Sequence, residues 1–288
     1  IGCEFVSALY QPAAVMTFEP QPQEFFAPDQ APARLTSLRE KLEFLRGCAV
    51  DRAYVCRFDF RFAQIEADRF IARILRDALG AKWILVGDDF RFGARRAGNF
   101  ELLKAQALQF GFDIETMPSV VADGVRVSST AVRAALENGN LAGASRLLGR
   151  CYSISGRVMH GDKLGTKLGY PTANVQLKRL RAPLAGIFVV EVRGPANLPV
   201  SGVASLGVRP TVTDRGHQTL EVHLFDFDRN IYGKRIEVRF LSKIRDEKKF
   251  AGIEAMVAQM DRDAAAARDF FYPRPAAFHS DPPRQSEG

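Results

Sequence analysis

The first half of the chain alternates short apolar runs with amphipathic segments. Residues 13–18 (AAVMTF) and 82–87 (KWILVG) are apolar and precede loops of Gly, Pro or acidic residues, as buried parallel strands do. Residues 35–45, 67–79 and 100–110 repeat apolar positions at three- and four-residue spacing, which predicts helices. Strands alternating with helices predict an α/β layer with a parallel sheet, whose ligand side lies at the carboxyl ends of the strands.

The pattern changes near residue 150. From there, apolar and polar residues alternate over five segments separated by Gly, Pro and Asp, which predicts an antiparallel barrel or sandwich. The five segments are 152–160, 186–194, 201–208, 219–227 and 235–244. A helix is expected over 247–270. We therefore expect one domain over 1–149, a second over 150–272 and a disordered tail over 273–288.

Composition and charge narrow the class of protein. With 47% hydrophobic and 25% charged residues the chain is typical of a globular protein. The absence of an apolar run long enough to span a bilayer, and of a basic-then-apolar start, predicts a soluble cytoplasmic protein. Four cysteines show neither a C-x-x-C pair nor zinc-site spacing. Residues 1–150 carry 19 basic and 18 acidic side chains and the rest carry 21 and 15. The second half therefore favours an anionic ligand, either a triphosphate or nucleic acid.

A glycine-flanked loop in the second half has the composition of a phosphate site. Gly161 and Gly165 bracket the sequence GDKLG, in which backbone N–H groups can approach phosphate oxygens and Lys163 adds a positive charge. Thr172 and Asn174, in the following GYPTAN, are hard oxygen ligands on the same face of an extended segment, as Mg²⁺ bound to phosphates requires. The alternative is a Gly/Pro turn that leads into a strand.

These two motifs resemble the signature of the riboflavin kinase family, in which the P-T-A-N segment binds Mg-ATP. Further segments match the family in order over about residues 150–272. They are Gly186–Phe188, Gly207–Thr211, Leu220–Leu224, Tyr232–Lys234 and Ile244–Phe250. The resemblance implies a six-stranded antiparallel β-barrel with a terminal helix, and an enzyme that converts riboflavin and ATP to FMN and ADP.

The resemblance also implies roles for single residues of the second half. Glu221 takes the place of the family's general base on the riboflavin 5′-hydroxyl. By alternation, Glu221 and His223 lie on the opposite face from the aliphatic residues of their strand, so a solvated acid is the alternative. Arg245, Asp246 and Phe250 take the place of a mobile segment that closes over the flavin. Their alternative role is the capped first turn of the terminal helix.

The first half resembles the FAD synthetase (FMN adenylyltransferase) module, which implies a Rossmann-like nucleotidyltransferase fold. Three segments carry this resemblance: 17–22 (TFEPQP), 86–93 (VGDDFRFG) and 127–133 (VSSTAVR). Ser129 or Thr130 is expected to cap a helix that begins near residue 131, where free N–H groups and an arginine suit a triphosphate. A helix cap without a ligand is the alternative. The implied flavin and nucleotide residues are Phe18, Pro20, Asp89, Phe90, Phe92, Gly93, Ser128, Ser129, Thr130 and Arg133.

The chain is thus predicted to belong to the bacterial bifunctional riboflavin kinase/FAD synthetase family. Its ligands are expected to be riboflavin, FMN, ATP and Mg²⁺, without nucleic acid or membrane, and the sequence does not exclude an oligomer. One alternative is a flavin- or nucleotide-binding protein without turnover. Another is an oligonucleotide-binding barrel, which requires aromatic residues interleaved with Lys and Arg on one strand face. No convincing stripe of that kind is present.

One family motif has no counterpart in the first half. The family's adenylyl transfer uses an H-x-G-H motif after the first strand, whereas the four histidines here are His160, His217, His223 and His279. Gln21 stands where the family's T-F-x-P-H-P segment has histidine. We therefore expect that the adenylyltransferase half is impaired as given. Either the sequence is a fragment or frame-disrupted copy that begins inside a longer reading frame, or its synthetase half has decayed into a binding scaffold.

The chain as given is accordingly predicted not to make FAD from FMN and ATP at a rate typical of the family. One donor aimed at developing transition-state charge is worth roughly 10²–10³ in rate, and both imidazoles are lacking. Chromatography of FAD and pyrophosphate should show the deficit beside a chain carrying a restored G-N-F-D-G-V-H-x-G-H segment. Comparable FAD output from the two chains would contradict this prediction.

Overall fold

The computed structural model describes residues 12–161, 169–179, 181–208 and 218–272. The predictions for Lys163, Gly165 and the tail 273–288 lie outside these residues. The chain packs as two compact units that divide between Ala131 and Val132. Residues 132–149 thus pack with the second unit, and the domain boundary expected at 149/150 stays a prediction.

The first unit has the α/β character that the sequence pattern predicts. Strands β1 and β2 pair in parallel from Ala14 opposite Arg52 to Glu19 opposite Arg57. Strands β3 and β4 form a second parallel pair. The elements are β1 (Ala14–Glu19), α1 (Pro22–Phe26), α2 (Leu38–Gly47), β2 (Arg52–Arg57), α3 (Phe60–Ala63), α4 (Ala67–Arg69) continuing as a π-helix (Phe70–Ala78), β3 (Trp83–Val86), α5 (Phe100–Phe110), β4 (Asp113–Thr116), β5 (Val121–Ala122) and β6 (Val125–Arg126).

Apolar stripes on these helices form the core of the first unit. Ile71 of the π-helix and Leu103 of α5 are fully buried, and Phe70, Phe92 and Phe112 pack beside them. Because the stripes of both helices meet the apolar strand pair β3–β4, burying them fixes the loops that follow the strands.

The second unit is a closed barrel of six strands in the order β10-β11-β8-β7-β12-β9, which confirms the predicted architecture. All its strand pairs are antiparallel. Two helices precede it and one follows. The elements are α6 (Ser129–Glu137), α7 (Leu141–Leu148), β7 (Ser153–Met159), β8 (Thr172–Val175), β9 (Gly186–Arg193), β10 (Val200–Val208), β11 (Gln218–Leu224), β12 (Arg235–Arg245) and α8 (Ile253–Phe271).

Period-two alternation fills the barrel interior with aliphatic and aromatic side chains. Five such side chains have 0% of their surface exposed, and their sequence neighbours face outward: Phe188, Val190, Leu206, Val222 and Val238.

Helix α8 packs on the outer surface of the barrel through Ala264 and Ala267, against Val189 and Phe225. It begins at Ile253 rather than at residue 247 as expected. Residues 246–252 instead form an irregular segment between β12 and α8. None of the helices in the described part of the chain is long and apolar enough to cross a membrane.

Candidate functional site

Two neighbouring strands of the barrel bring the predicted metal ligands and the predicted base together. Strand β8 pairs with β11 so that Asn174 lies directly opposite Glu221 and Thr172 directly opposite His223. Side chains that are directly opposite share one face of the sheet, with Cβ atoms roughly 5 Å apart. The alternate residue Val222 is fully buried in the barrel. The four polar side chains therefore form one half-buried group on the outer face of the barrel.

Gly161 lies against this group. A Cβ atom on Gly161 would overlap the side-chain amide of Asn174 in its present position, so glycine permits this close approach. Among the predicted ATP-binding residues, Gly161, Thr172 and Asn174 thus lie together. Lys163 and Gly165 fall outside the described residues.

The turn that precedes β8 is held from two sides. The Nδ1 atom of His223 lies 3.0 Å from the carbonyl oxygen of Pro171, at hydrogen-bonding distance. The hydroxyl of Tyr170 donates to Asp261 of α8, and this hydrogen bond raises the pKa of Tyr170 to about 12. The rings of Tyr170 and His223 meet edge to face, with their centroids 5.1 Å apart. Strand β11 and helix α8 therefore position the segment that carries the predicted metal ligands.

Arg245, predicted to contact the flavin, is bound to helix α8. Its Nε donates to both carboxylate oxygens of Asp263 at 2.9 and 3.1 Å, and its Nη2 donates to one of them at 2.6 Å. Asp263 has 4% of its surface exposed and also accepts from Gln259 at 2.9 Å. The ring of Phe250 lies 5.9 Å from the Arg245 guanidinium. Arg245 therefore fixes the start of the 246–252 segment to the helix, and it precedes the helix instead of forming its first turn.

The rest of this segment lies over the end of β10. Ser205 donates to Glu247 at 3.4 Å, and a Cβ atom on Gly207 would overlap the Glu247 carboxylate. Asp246 is exposed and forms an ion pair with Lys243 at 2.6 Å. Because Ser205 is directly opposite Glu221, the segment passes beside the predicted base.

The first unit contains an aromatic cleft of about 870 Å³. Phe90 and Phe92 stack with their centroids 5.4 Å apart and an interplanar angle of 22°. Phe18 meets Phe62 edge to face at 5.4 Å. Such a wall suits a planar heteroaromatic ligand. The phenylalanines that line the cleft are Phe18, Phe26, Phe58, Phe62, Phe70, Phe90 and Phe92.

Four of the six predicted flavin residues of this unit line the cleft. They are Phe18, Phe90, Phe92 and Gly93, whereas Pro20 and Asp89 lie outside its lining. Gly93 has a φ of 72°, and a Cβ atom there would lie 2.7 Å from the backbone of Ala67. Only glycine therefore allows the loop to turn at this wall of the cleft.

Thr17 and Lys41 of the lining are paired, and a cluster of Glu19, Glu24 and Arg34 lies outside the lining. The Nζ atom of Lys41 donates to Thr17 at 2.7 Å, and burial lowers the pKa of the Lys41 ammonium, although Glu19 opposes the shift. Arg34 donates to Glu19 at 2.8 and 3.1 Å and also to Glu24. The two carboxylates thus have a cationic partner.

Helix α6 begins with a side-chain cap. The backbone N–H of Ala131 donates to Ser128 Oγ at 3.1 Å, so Ser128 provides the cap and Ser129 and Thr130 lie within the helix. The expectation that Ser129 or Thr130 caps the helix is therefore wrong by one or two positions, since the capping residue is Ser128. Burial lowers the pKa of the Arg133 guanidinium.

Sequence patterns did not single out three groups that the structure adds. Phe58 and Phe62 follow the carboxyl end of β2 and alternate with polar residues. Both features are visible in the sequence and could have indicated that these side chains line a ligand site. Lys41 is on an amphipathic helix and carried no such signal. Asp263 looks like any solvated helix acid until its contact with Arg245 is known.

Two family models match the chain, FAD synthetase over residues 4–131 and riboflavin kinase over residues 148–271. The fold and these matches define a two-module transferase that acts on flavins and nucleotides. Over 260 residues the chain is 51% identical to the bifunctional riboflavin kinase/FMN adenylyltransferase of Escherichia coli (strain K12), covering 90% of this chain and 83% of that protein. The chain belongs to the bifunctional riboflavin kinase/FMN adenylyltransferase family, as the sequence motifs predict.

A second relative supports this assignment, and one solved structure shares the fold. The protein of the same description from Haemophilus influenzae is 46% identical over 260 residues, covering 90% of this chain and 84% of the relative. The crystal structure of a macrolide-efflux protein from Streptococcus pneumoniae is similar to this chain, with a TM-score of 0.74 and 31% sequence identity. The match covers 92% of this chain and 86% of the Streptococcus pneumoniae chain. The arrangement of elements along the chain is thus shared with a solved structure.

The contact between Arg245 and Asp263 is predicted to stabilise the barrel unit. Asp263→Ala leaves a largely buried guanidinium without its carboxylate, which should lower the free energy of unfolding by about 3 kcal/mol. Glu254→Ala, at an exposed acid of the same helix, should cost less than about 1 kcal/mol. Calorimetry of single and double variants at Arg245 and Asp263 measures the coupling. Strictly additive losses would contradict a direct interaction.

Proposed function

We propose that the barrel unit transfers the γ-phosphoryl group of ATP to the 5′-hydroxyl of riboflavin, with Glu221 as the base. The observation that carries this proposal is the β8–β11 register, in which Asn174 lies opposite Glu221 and Thr172 opposite His223. Phosphoryl transfer depends mainly on in-line positioning and on neutralising charge. A carboxylate beside the metal ligands supplies the base without a further conformational step.

The oxygens of Thr172 and Asn174 fit a hard cation such as Mg²⁺. They lie two residues apart on one strand, on the same face as Glu221, and the Asn174 amide packs against Gly161. When bound, Mg²⁺ would neutralise charge on the ATP phosphates. Gly161, with Lys163 and Gly165 of the same motif, would hold those phosphates through backbone N–H groups and the lysine charge.

The 246–252 segment is proposed to cover the riboflavin ring. Phe250 is the aromatic side chain of this segment and is the proposed contact with the flavin, with Asp246 beside it. Arg245 would act mainly by holding the segment, because its guanidinium is bound to Asp263. Arg245, Asp246 and Phe250 would thus all act at the flavin end of the site, in separate roles.

The first unit is proposed to bind FMN for adenylyl transfer, the second activity of the family. Phe18, Phe90, Phe92 and Gly93 would contact the flavin ring in the aromatic cleft. Pro20 and Asp89 would act by shaping the adjacent loops.

The start of α6, the helix within which the two units divide, is proposed to bind the nucleotide. Free N–H groups at Ser128, Ser129 and Thr130 and the charge of Arg133 would contact the phosphates.

Glu221→Gln is predicted to lower kcat of the kinase reaction by roughly 10²–10³, since removal of a general base commonly costs this much. ATP binding should change little, because the phosphate and metal groups remain. Turnover is followed as riboflavin-dependent ADP release. Glu237→Gln, on the outer face of β12, is the matched control and should leave kcat unchanged. A Glu221→Gln variant that retains more than about half of the turnover would exclude the base role.

Thr172→Ala and Asn174→Ala are predicted to raise the Mg²⁺ concentration needed for half-maximal kinase activity by about tenfold or more, because each removes one oxygen ligand. Thr172→Ser keeps the hydroxyl and should keep the metal requirement. The measurement is the initial rate as a function of Mg²⁺ at saturating ATP. A normal Mg²⁺ dependence in both alanine variants would remove these residues from the metal site.

A further inference from the structure

The charged side chains that line the aromatic cleft of the first unit all have the same sign. The lining includes four cationic residues and no carboxylate among the described residues. The cationic residues are Lys41, Arg91, Arg95 and Arg96. Since the remaining wall is mostly phenylalanine, the cleft suits a ligand that combines a planar ring system with an anionic group.

Two of the arginines are at the tip of a braced loop. Phe92 and Gly98 pair across its base, with N–H to oxygen distances of 3.2 and 2.9 Å in the two directions. The N–H of Ala94 donates to the carbonyl of Ile65 at 2.7 Å. A Cβ atom on Gly98 would lie only 2.5 Å from the Phe92 ring. The base of the loop is therefore fixed against the core, and its tip is preorganised.

The backbone at the tip is unfavourable for the residues it carries. Arg95 and Arg96 have φ values of 55° and 60°, in the left-handed region where glycine is the favoured residue. Non-glycine residues persist in this region where the surrounding structure holds them, and they cluster at ligand sites. Two successive arginines in this conformation at a cleft indicate that their side chains bind a ligand.

We propose that Arg95 and Arg96 bind the 5′-phosphate of FMN and so make the cleft select phosphorylated flavin over riboflavin. The proposal rests on the proposed function of the first unit, flavin binding in the cleft. The guanidinium group presents planar pairs of N–H donors that match phosphate oxygens. The phenylalanines would contact the flavin ring, which FMN and riboflavin share.

Selection of FMN by its phosphate would allow one chain to distinguish the two flavins that its units bind. The substrate of the kinase reaction and its product carry the same ring and differ only in the phosphate. An apolar wall cannot separate two ligands with identical rings, whereas charges aimed at the phosphate can. The first unit would thereby bind the product of the kinase reaction more tightly than its substrate.

The test is calorimetric titration of the 288-residue chain with FMN and with riboflavin. The double variant Arg95→Gln/Arg96→Gln should weaken FMN binding at the cleft by about tenfold or more, as expected for loss of charge-assisted hydrogen bonds. Riboflavin binding should stay within about twofold. Arg95→Lys/Arg96→Lys keeps both charges and should retain most of the preference for FMN.

Two controls separate the cleft from other sites on the chain. Because the barrel unit is proposed to bind flavin as well, the cleft's share of binding is the part lost in Phe90→Ala. Arg46→Gln/Arg52→Gln removes two exposed arginines of the same unit that do not line the cleft. That variant should leave FMN binding unchanged at moderate salt, since distant exposed charges are screened.

Three results would overturn the proposal. Equal losses of FMN and riboflavin affinity in Arg95→Gln/Arg96→Gln would show that the arginines do not contact the phosphate. Equal losses of FMN affinity in both double Gln variants would show a general charge effect. Unchanged binding of both flavins in Phe90→Ala would instead refute flavin binding in the cleft, and with it the function proposed for the first unit.

Discussion

The pairing of β8 with β11 is the constraint on which the proposed kinase site depends. Barrel closure fixes this register, since a slip by one residue would turn every side chain to the opposite face and expose Val222 to water. The same slip would separate Glu221 from Asn174. Burial of aliphatic side chains inside the barrel therefore holds the geometry of the polar side chains outside it. Stability and catalytic geometry in this unit have one physical origin.

Much of the fold could be predicted from the spacing of apolar residues and from the Gly, Pro and Asp residues that separate the segments. The five alternating segments after residue 150 and the apolar runs before it correspond to strands in the structure. Helix α8 was placed six residues too early, because residues 247–252 are rich in Lys and Glu and look helical by composition. In the structure the Glu247 carboxylate instead approaches the Gly207 backbone, a tertiary contact that no local pattern encodes.

The candidate sites were predictable to different degrees. Motif spacing located Thr172, Asn174 and Glu221, and strand alternation gave their common face, but only cross-strand register shows that they are neighbours. The cleft of the first unit is harder to predict, because its wall collects phenylalanines from β1, α1, α3 and several loops. Sequence distance hides such a group. A cluster of aromatic residues can look like core until its open side is seen.

Helix α8 holds two parts of the proposed kinase site through residues only two positions apart. Asp261 accepts from Tyr170 beside the proposed metal ligands, and Asp263 accepts from Arg245 at the start of the 246–252 segment. Residues two positions apart on a helix point to nearly opposite sides of its axis. A small roll of α8 about that axis would therefore shift the two attached segments in opposite directions. The packing of the terminal helix on the barrel therefore links the positions of the proposed nucleotide end and the proposed flavin end of the site.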